Sequence, residues 1–146
     1  MSVYNIRNSP IACDIHDAQI HCYRARLTAE ASNWVTVVSI AGDIDALNAE
    51  PVCEHIRAFV TAGRPLVLDL SEVDFLGVDG IRGLFDLGNS CAERGVNWAV
   101  IASHAVRRLL RIADGDGQCH AVASMVEVME RFHVAHRPRR LLQVVT

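Results

Sequence analysis

The 146-residue sequence holds two kinds of side chain whose types and spacing chemistry uses. The first kind is acidic. Asp43-Ile44-Asp45 follows an apolar run, and two carboxylates so placed can hold a divalent cation while one attacks phosphorus. Asp69 interrupts a second apolar run, and Asp79 stands between Gly77-Val78 and Gly80. The second kind is Cys and His. Cys13, His16, His21 and Cys22 fall within ten residues, and Cys53-Glu54-His55 and Cys119-His120 are close pairs.

What is missing excludes most of that chemistry. All 14 basic residues are arginine, so no lysine is present for a Schiff base, a P-loop or the side of a phosphorylated aspartate. A receiver-type acceptor at Asp69 fails on this ground. The same absence counts against an aspartate-dependent phosphohydrolase built on Asp43 and Asp45, which remains an alternative. Adjacent residues on a strand point to opposite faces, and no Cys/His spacing matches a zinc site, so no metal is expected. There is no G-x-S-x-G elbow, Walker loop or G-x-G-x-x-G, and nothing assembles a nucleophile, a base and an orienting acid. The expectation is a protein that is not an enzyme and carries no cofactor.

About half of the residues, 51%, are apolar, enough for one domain with a full core. No apolar run approaches the length of a membrane span, and the start has no signal-peptide pattern. The five cysteines are odd in number and form no C-x-x-C. A reduced, cytoplasmic protein is therefore expected, with Cys53 and Cys91 as small core residues and a redox role left open. Charge is uneven. Residues 43–93 carry ten acids and three arginines, net −7, whereas residues 94–146 carry four acids and eight arginines, net +4. An acidic centre points to a basic protein partner and away from nucleic acid; a merely solvated surface is the alternative.

The elements that must position these residues alternate along the chain. Residues 1–17 have no period and read as a poorly ordered leader, 18–136 as the domain and 137–146, opening on Arg137-Pro138-Arg139-Arg140, as a basic tail. Ala18–Leu27 alternates like an edge strand with one wet face, and Thr28–Asn33 reads as a hairpin-like connection. Trp34–Ala41 is rich in branched residues and reads as a strand. Ala49, Val52, Cys53, Ile56, Phe59 and Val60 mark a helix with Asn48 as N-cap and Pro51 in its first turn; Gly63 ends it. Leu66–Leu70 reads as a buried strand, and Ile81, Leu84, Phe85, Gly88, Cys91 and Ala92 mark the helix after it. Gly77 and Gly80 would let the loop between them turn sharply with its backbone exposed, and Asp79 would cap the helix. Asn97–Ser103 is a further strand. Val106, Leu109, Leu110 and Ala113 stripe a helix closed by Gly115, with Arg107, Arg108 and Arg111 mostly outside. Gln118–Ala123 is a last short strand, and Ser124 and Glu127 form a capping box for a final helix striped by Met125, Val128, Met129 and Phe132. The order requires an α/β domain with a mixed sheet of about five strands, intervening helices and the first strand antiparallel.

Three motifs in this order resemble the STAS domain family, in particular the bacterial anti-sigma factor antagonists. Asp69-Leu70-Ser71, Val73, Phe75, Leu76, Gly80 and Leu84 match its D-L-S-x-V-x-F-[ML]-D-S-S-G-L-x-x-L hallmark, with Ile81 for the usual Leu. Gly42-Asp43-Ile44-Asp45 resembles its G-E-L-D, and Val106-Arg107-Arg108-Leu109-Leu110 its V-R-R-L-L. The resemblance covers about residues 18–133 and implies a single STAS-type domain that binds an anti-sigma factor of the serine kinase type, without membrane or nucleic acid. It departs at the site: the family's D-S-S is Gly77-Val78-Asp79, so Asp79 takes the position of the phosphorylatable serine. That implies a phosphomimetic or non-switching antagonist, with Gly77, Val78, Asp79, Gly80 and Arg82 as partner-binding residues and Asp43 and Asp45 across the neighbouring strand ends. A small-molecule sensor or a stressosome-like assembly module on the same fold is the alternative.

Overall fold

The computed structural model describes residues 13–16, by their strand pairing alone, together with 19–114 and 121–132. Among the described residues seven strands form one sheet in chain order: β1 (Cys13–His16), β2 (Gln19–Cys22), β3 (Ala25–Ala31), β4 (Thr36–Ile44), β5 (Leu66–Leu76), β6 (Trp98–Ala102) and β7 (Ala121–Val122). The first four strands pair antiparallel through short turns. From β4 onward each pairing is parallel, because a helix intervenes between successive strands and carries the chain back to the starting edge. These helices are α1 (Ala49–Ala58), α2 (Val78–Glu93) and α3 (His104–Ala113). A fourth, α4, includes residues 125–132.

Alternation along the strands sorts the core into two layers. Leu66, Leu68 and Leu70 of β5 face α1 and α2, joining Val38, Ile40, Val52, Ile56, Leu84 and Leu87 in the larger cluster. Val67 points the other way and meets Ala99, Ile101, Val128 and Phe132, so α4 covers that face. Each fully buried Leu or Ile contributes about 2 kcal/mol of transfer free energy. Gly83 lets α1 and α2 pack closely, since a Cβ there would meet the Cys53 sulfur.

The mixed α/β architecture is as expected, with more strands than the sequence reading gave. Ala18–Leu27 is two strands, not one: Tyr23, at φ 58°, turns the chain between β2 and β3. Thr28–Asn33 is not the connection, because β3 runs to Ala31 and the turn lies at residues 32–35, held by Ser32 Oγ, which accepts from the Val35 N–H at 3.3 Å. Cys13–His16, inside the expected leader, forms an edge strand on β2; residues 1–12 and the tail 137–146 lie outside the described residues, as does Gly115. β5 runs on past Leu70 to Leu76, because β4 extends beside it through two register shifts. Gly42 sits at one shift with φ 102°, and a Cβ there would strike the Arg24 carbonyl oxygen. Gly63 stands beyond α1, which ends at Ala58. Ser124 Oγ accepts from the Glu127 N–H at 3.4 Å, but the Glu127 carboxylate reaches the Ala123 N–H, one residue before the reciprocal position of a capping box.

Candidate functional site

The parallel strands β4 and β5 end together, and the loops that leave them form one tip. The Gly77 N–H donates to the Ile44 carbonyl oxygen at 2.8 Å, carrying the ladder one step past β5. Asp43 pairs with Phe75 and Ile44 with Leu76 across the two strands. A Cβ on Gly77 would lie 3.6 Å from the Ile44 oxygen and 3.7 Å from Cα of Asp45. The β4–α1 loop and the start of α2 are therefore in direct contact.

Asp79 is not the N-cap of α2. Gly77 holds that place, with no side-chain cap bond, and Asp79 is the second helical residue, exposed in the first turn. There its charge still meets the positive end of the helix dipole. The two glycines also act differently from the expectation of a sharp, exposed turn. Gly77 has an ordinary extended backbone, φ −82° and ψ 177°. Gly80 is buried, and a Cβ on it would come within 2.6 Å of Leu76 Cδ1 and 2.8 Å of Ile44 Cγ2. Its role is to seat the first turn of α2 on the strand ends.

The two acids after β4 have different duties. Asp43 lies 3.9 Å from Arg24, whose guanidinium also stands 5.5 Å from the centre of the Tyr23 ring. Asp45 turns its carboxylate into its own loop, where Oδ1 accepts from the N–H groups of Leu47 at 2.9 Å and Asn48 at 3.3 Å. Asn48 occupies the N-cap position of α1 but makes no side-chain cap bond. Fully buried, it accepts from the Asp45 N–H at 2.9 Å and donates to the carbonyl oxygens of Asp43 at 2.8 Å and Cys22 at 3.0 Å. That tie, which fixes the shape of the tip, was missed by the sequence reading. So was the tip's apolar part: Leu47, Phe75 and Val78 are 53%, 54% and 64% exposed. The available signal was Phe75, an aromatic flanked by Glu72, Asp74 and Asp79.

Beside the tip, a groove of about 360 Å³ runs between α1 and α2, lined by Asp79, Arg82, Asp86, Glu50, Arg57 and Cys53 among others. Arg82 is exposed and Val78 stands outside this groove. Burial pushes the Cys53 thiol up to about 11, with Arg57 opposing and Asp86 reinforcing the shift. Burial likewise raises the Cys91 thiol and lowers the His55 imidazole. Those directions keep all three groups uncharged near neutral pH. Among the described residues no group of three or more His, Cys, Asp or Glu could hold a metal ion, and no helix is long and apolar enough to cross a membrane. Of the Cys and His pairs singled out from the sequence, Cys119-His120 and the side chains of Cys13 and His16 lie outside the described residues. The arrangement offers an exposed apolar and acidic surface with fixed backbone.

Residues 26–119, from β3 to beyond α3, match the STAS domain family. Osmosensory protein A of Mycobacterium tuberculosis is 43% identical over 95 residues, covering 65% of this chain and 56% of that protein. Anti-sigma-F factor antagonist RsfB of the same organism is 37% identical over 84 residues, covering 56% of this chain and 67% of that protein. A solved anti-sigma factor antagonist from Mycobacterium paratuberculosis has a TM-score of 0.66 and 27% identity, over 73% of this chain and 92% of that one. The chain thus spans little more than half the length of the 43%-identical relative.

Proposed function

The chain belongs to the STAS domain family, and on that premise we propose that it is a cytoplasmic, non-enzymatic regulator that binds an anti-sigma factor of the serine kinase type. In this reading the partner docks on the β4/β5 tip, through Asp43, Asp45, Gly77, Val78, Asp79, Gly80 and Arg82, and Asp79 holds the place of a phosphorylatable serine. The names of the relatives that match as anti-sigma factor antagonists support the partner class. One observation carries the site: Asp79 is exposed at the first turn of α2, beside exposed Val78 and Phe75. Desolvated aromatic and aliphatic anchors supply binding free energy, and charge around them sets partner choice and association rate.

A phosphoserine carries a charge of about −1.5 to −2 at neutral pH, and an aspartate about −1. Asp79 thus imposes a permanent negative charge at a place where a hydroxyl would be neutral until modified. It holds the tip in a weakly binding, non-switching state towards a kinase-type partner. The test is Asp79→Ser, incubated with the anti-sigma kinase and ATP. The variant should gain one phosphate at position 79 by mass spectrometry and, before modification, bind about tenfold or more tightly than the parent. Equal affinities for parent and variant would remove the charge-switch reading.

A second reading, a small-molecule sensor or assembly module, is favoured by the 43% identity to a protein named for osmosensing and by the polar groove beside Asp79. Native mass spectrometry separates the two. A bound small molecule on the purified chain favours sensing, and a ligand-free chain that captures the kinase favours regulation.

A further inference from the structure

The helix α3 has two apolar faces where the fold uses one. Only Val106 and Leu110 are buried. Ala105, Leu109 and Ile112, at i, i+4 and i+7, form a second stripe beside the buried one and are exposed. Leu109 and Ala113 were expected on the inner stripe, and both are exposed instead. Ile112, at 77%, is the most exposed large apolar residue among those described. Arg108 and Arg111 flank this stripe in the open, whereas Arg107 is tied down, its Nε donating to the Ala102 carbonyl oxygen at 3.1 Å.

We propose that this outer face of α3 docks on the β4/β5 tip of a second copy of the chain, so that copies associate head to tail. Each surface presents what the other lacks. The tip offers exposed Leu47, Phe75 and Val78 with exposed Asp74 and Asp79; α3 offers Leu109 and Ile112 with Arg108 and Arg111. Apolar residues pair with apolar residues while the surrounding charges are opposite. α3 starts where β6 ends and runs about 15 Å back across the sheet, so Ile112 in its last turn stands away from the edge that carries the tip. Such a contact is heterologous: every assembly keeps one free tip at one end and one free α3 at the other, and it grows with concentration. The proposal rests on the tip being a docking surface, and it adds a consequence. A copy seated on the tip excludes the anti-sigma partner, so self-association and partner binding compete.

The test is sedimentation velocity with light scattering on the full chain, from micromolar to several hundred micromolar. In low salt the average mass should climb past twice the monomer value. At about 0.5 M salt it should fall back, because exposed charge pairs are screened. Arg108→Ser with Ile112→Ser should abolish the climb, as should Asp74→Arg with Asp79→Arg, with circular dichroism confirming the fold of both. Should either double variant lose its fold, Ile112→Ser alone should weaken association about tenfold. An equimolar mixture of the two double variants retains one working contact and should form a dimer that grows no further. A parent that stays monomeric in low salt, an α3 variant that assembles like the parent, or a mixture that stays monomeric would each overturn the proposal. The α3 variant should bind the anti-sigma kinase at least as well as the parent. Loss of kinase binding by every form, with the mixed dimer still forming, would sink the functional reading and leave this one standing.

Discussion

The Asn48 side chain donates to the carbonyl oxygen of Cys22, a residue 26 positions earlier in the chain, at 3.0 Å. One amide thereby ties β2, the end of β4 and the start of α1, since its other bonds go to Asp43 and Asp45. The group has no exposed surface, and removing it takes away three buried hydrogen bonds. Each such bond contributes about 1 kcal/mol. Asn48→Ala should therefore lower unfolding free energy by about 3 kcal/mol in a urea titration with unchanged slope. A loss below about 1 kcal/mol would mean that water replaces the amide and that the tip is looser than described.

Gly80→Ala sets two effects against each other. Alanine gains about 1 kcal/mol of helix propensity over glycine. Its Cβ, however, would press into Ile44 Cγ2 and Leu76 Cδ1 at 2.8 and 2.6 Å, and overpacking of this kind costs about 1–3 kcal/mol. Leu76 Cδ1 can swing away, but Ile44 Cγ2 is held close to its backbone. A net loss of about 1 kcal/mol is expected by denaturant titration, with weakened partner binding because α2 lifts from the tip. A more stable variant would show that the strand ends yield.

How far the tip was legible follows from particular residues. The run Leu66–Leu70 and the glycines after it announce a strand entering a helix, because backbone propensity and apolar period act locally. Asp79 stands in the turn that its type suggests, but with a different duty. Its type fits an N-cap, yet a cap needs a backbone position, and that position fell to Gly77 through the bond to Ile44. Asp43 and Asp45 look alike in sequence. One meets Arg24, which a turn 19 residues earlier delivers, and the other closes its own loop. The exposure of Phe75 depends on the register shifts between β4 and β5, which no local pattern encodes. Leu109 sits at a helical spacing that fits either side of α3, and only the neighbouring strands decide.

Cys53 should be slow to react. Its thiol, raised to about 11 by burial against a starting value of 9.0, has a thiolate population lowered by about a hundredfold. Cys22 and Cys91 are equally inaccessible. In a Cys13→Ser, Cys119→Ser background, an aromatic disulfide reagent at pH 8 should react with all three remaining thiols only after denaturant is added. Fast labelling of Cys53 in the folded protein would bring back the redox role that its position beside Asp79 could serve.

His55 gives the fold an acid limit. The imidazole is buried among the apolar residues of α1, and burial lowers its proton affinity below the ordinary 6.5, against a weaker upward pull from Glu54. Above about pH 7 both the folded and the unfolded chain hold it largely neutral, and its packing contributes nearly in full. As pH falls below that value, the unfolded chain takes up a proton that the folded chain refuses. Stability then declines, by at most about 1.4 kcal/mol per pH unit for one proton, until the lowered folded value is passed. His55→Leu keeps the site apolar and removes the proton. The parent-minus-variant difference in unfolding free energy should therefore be flat from pH 8 to about pH 7 and shift against the parent between about pH 6.5 and 5. A difference that stays constant across that range would show that His55 is protonated as readily in the fold as out of it, with water reaching the inner face of α1.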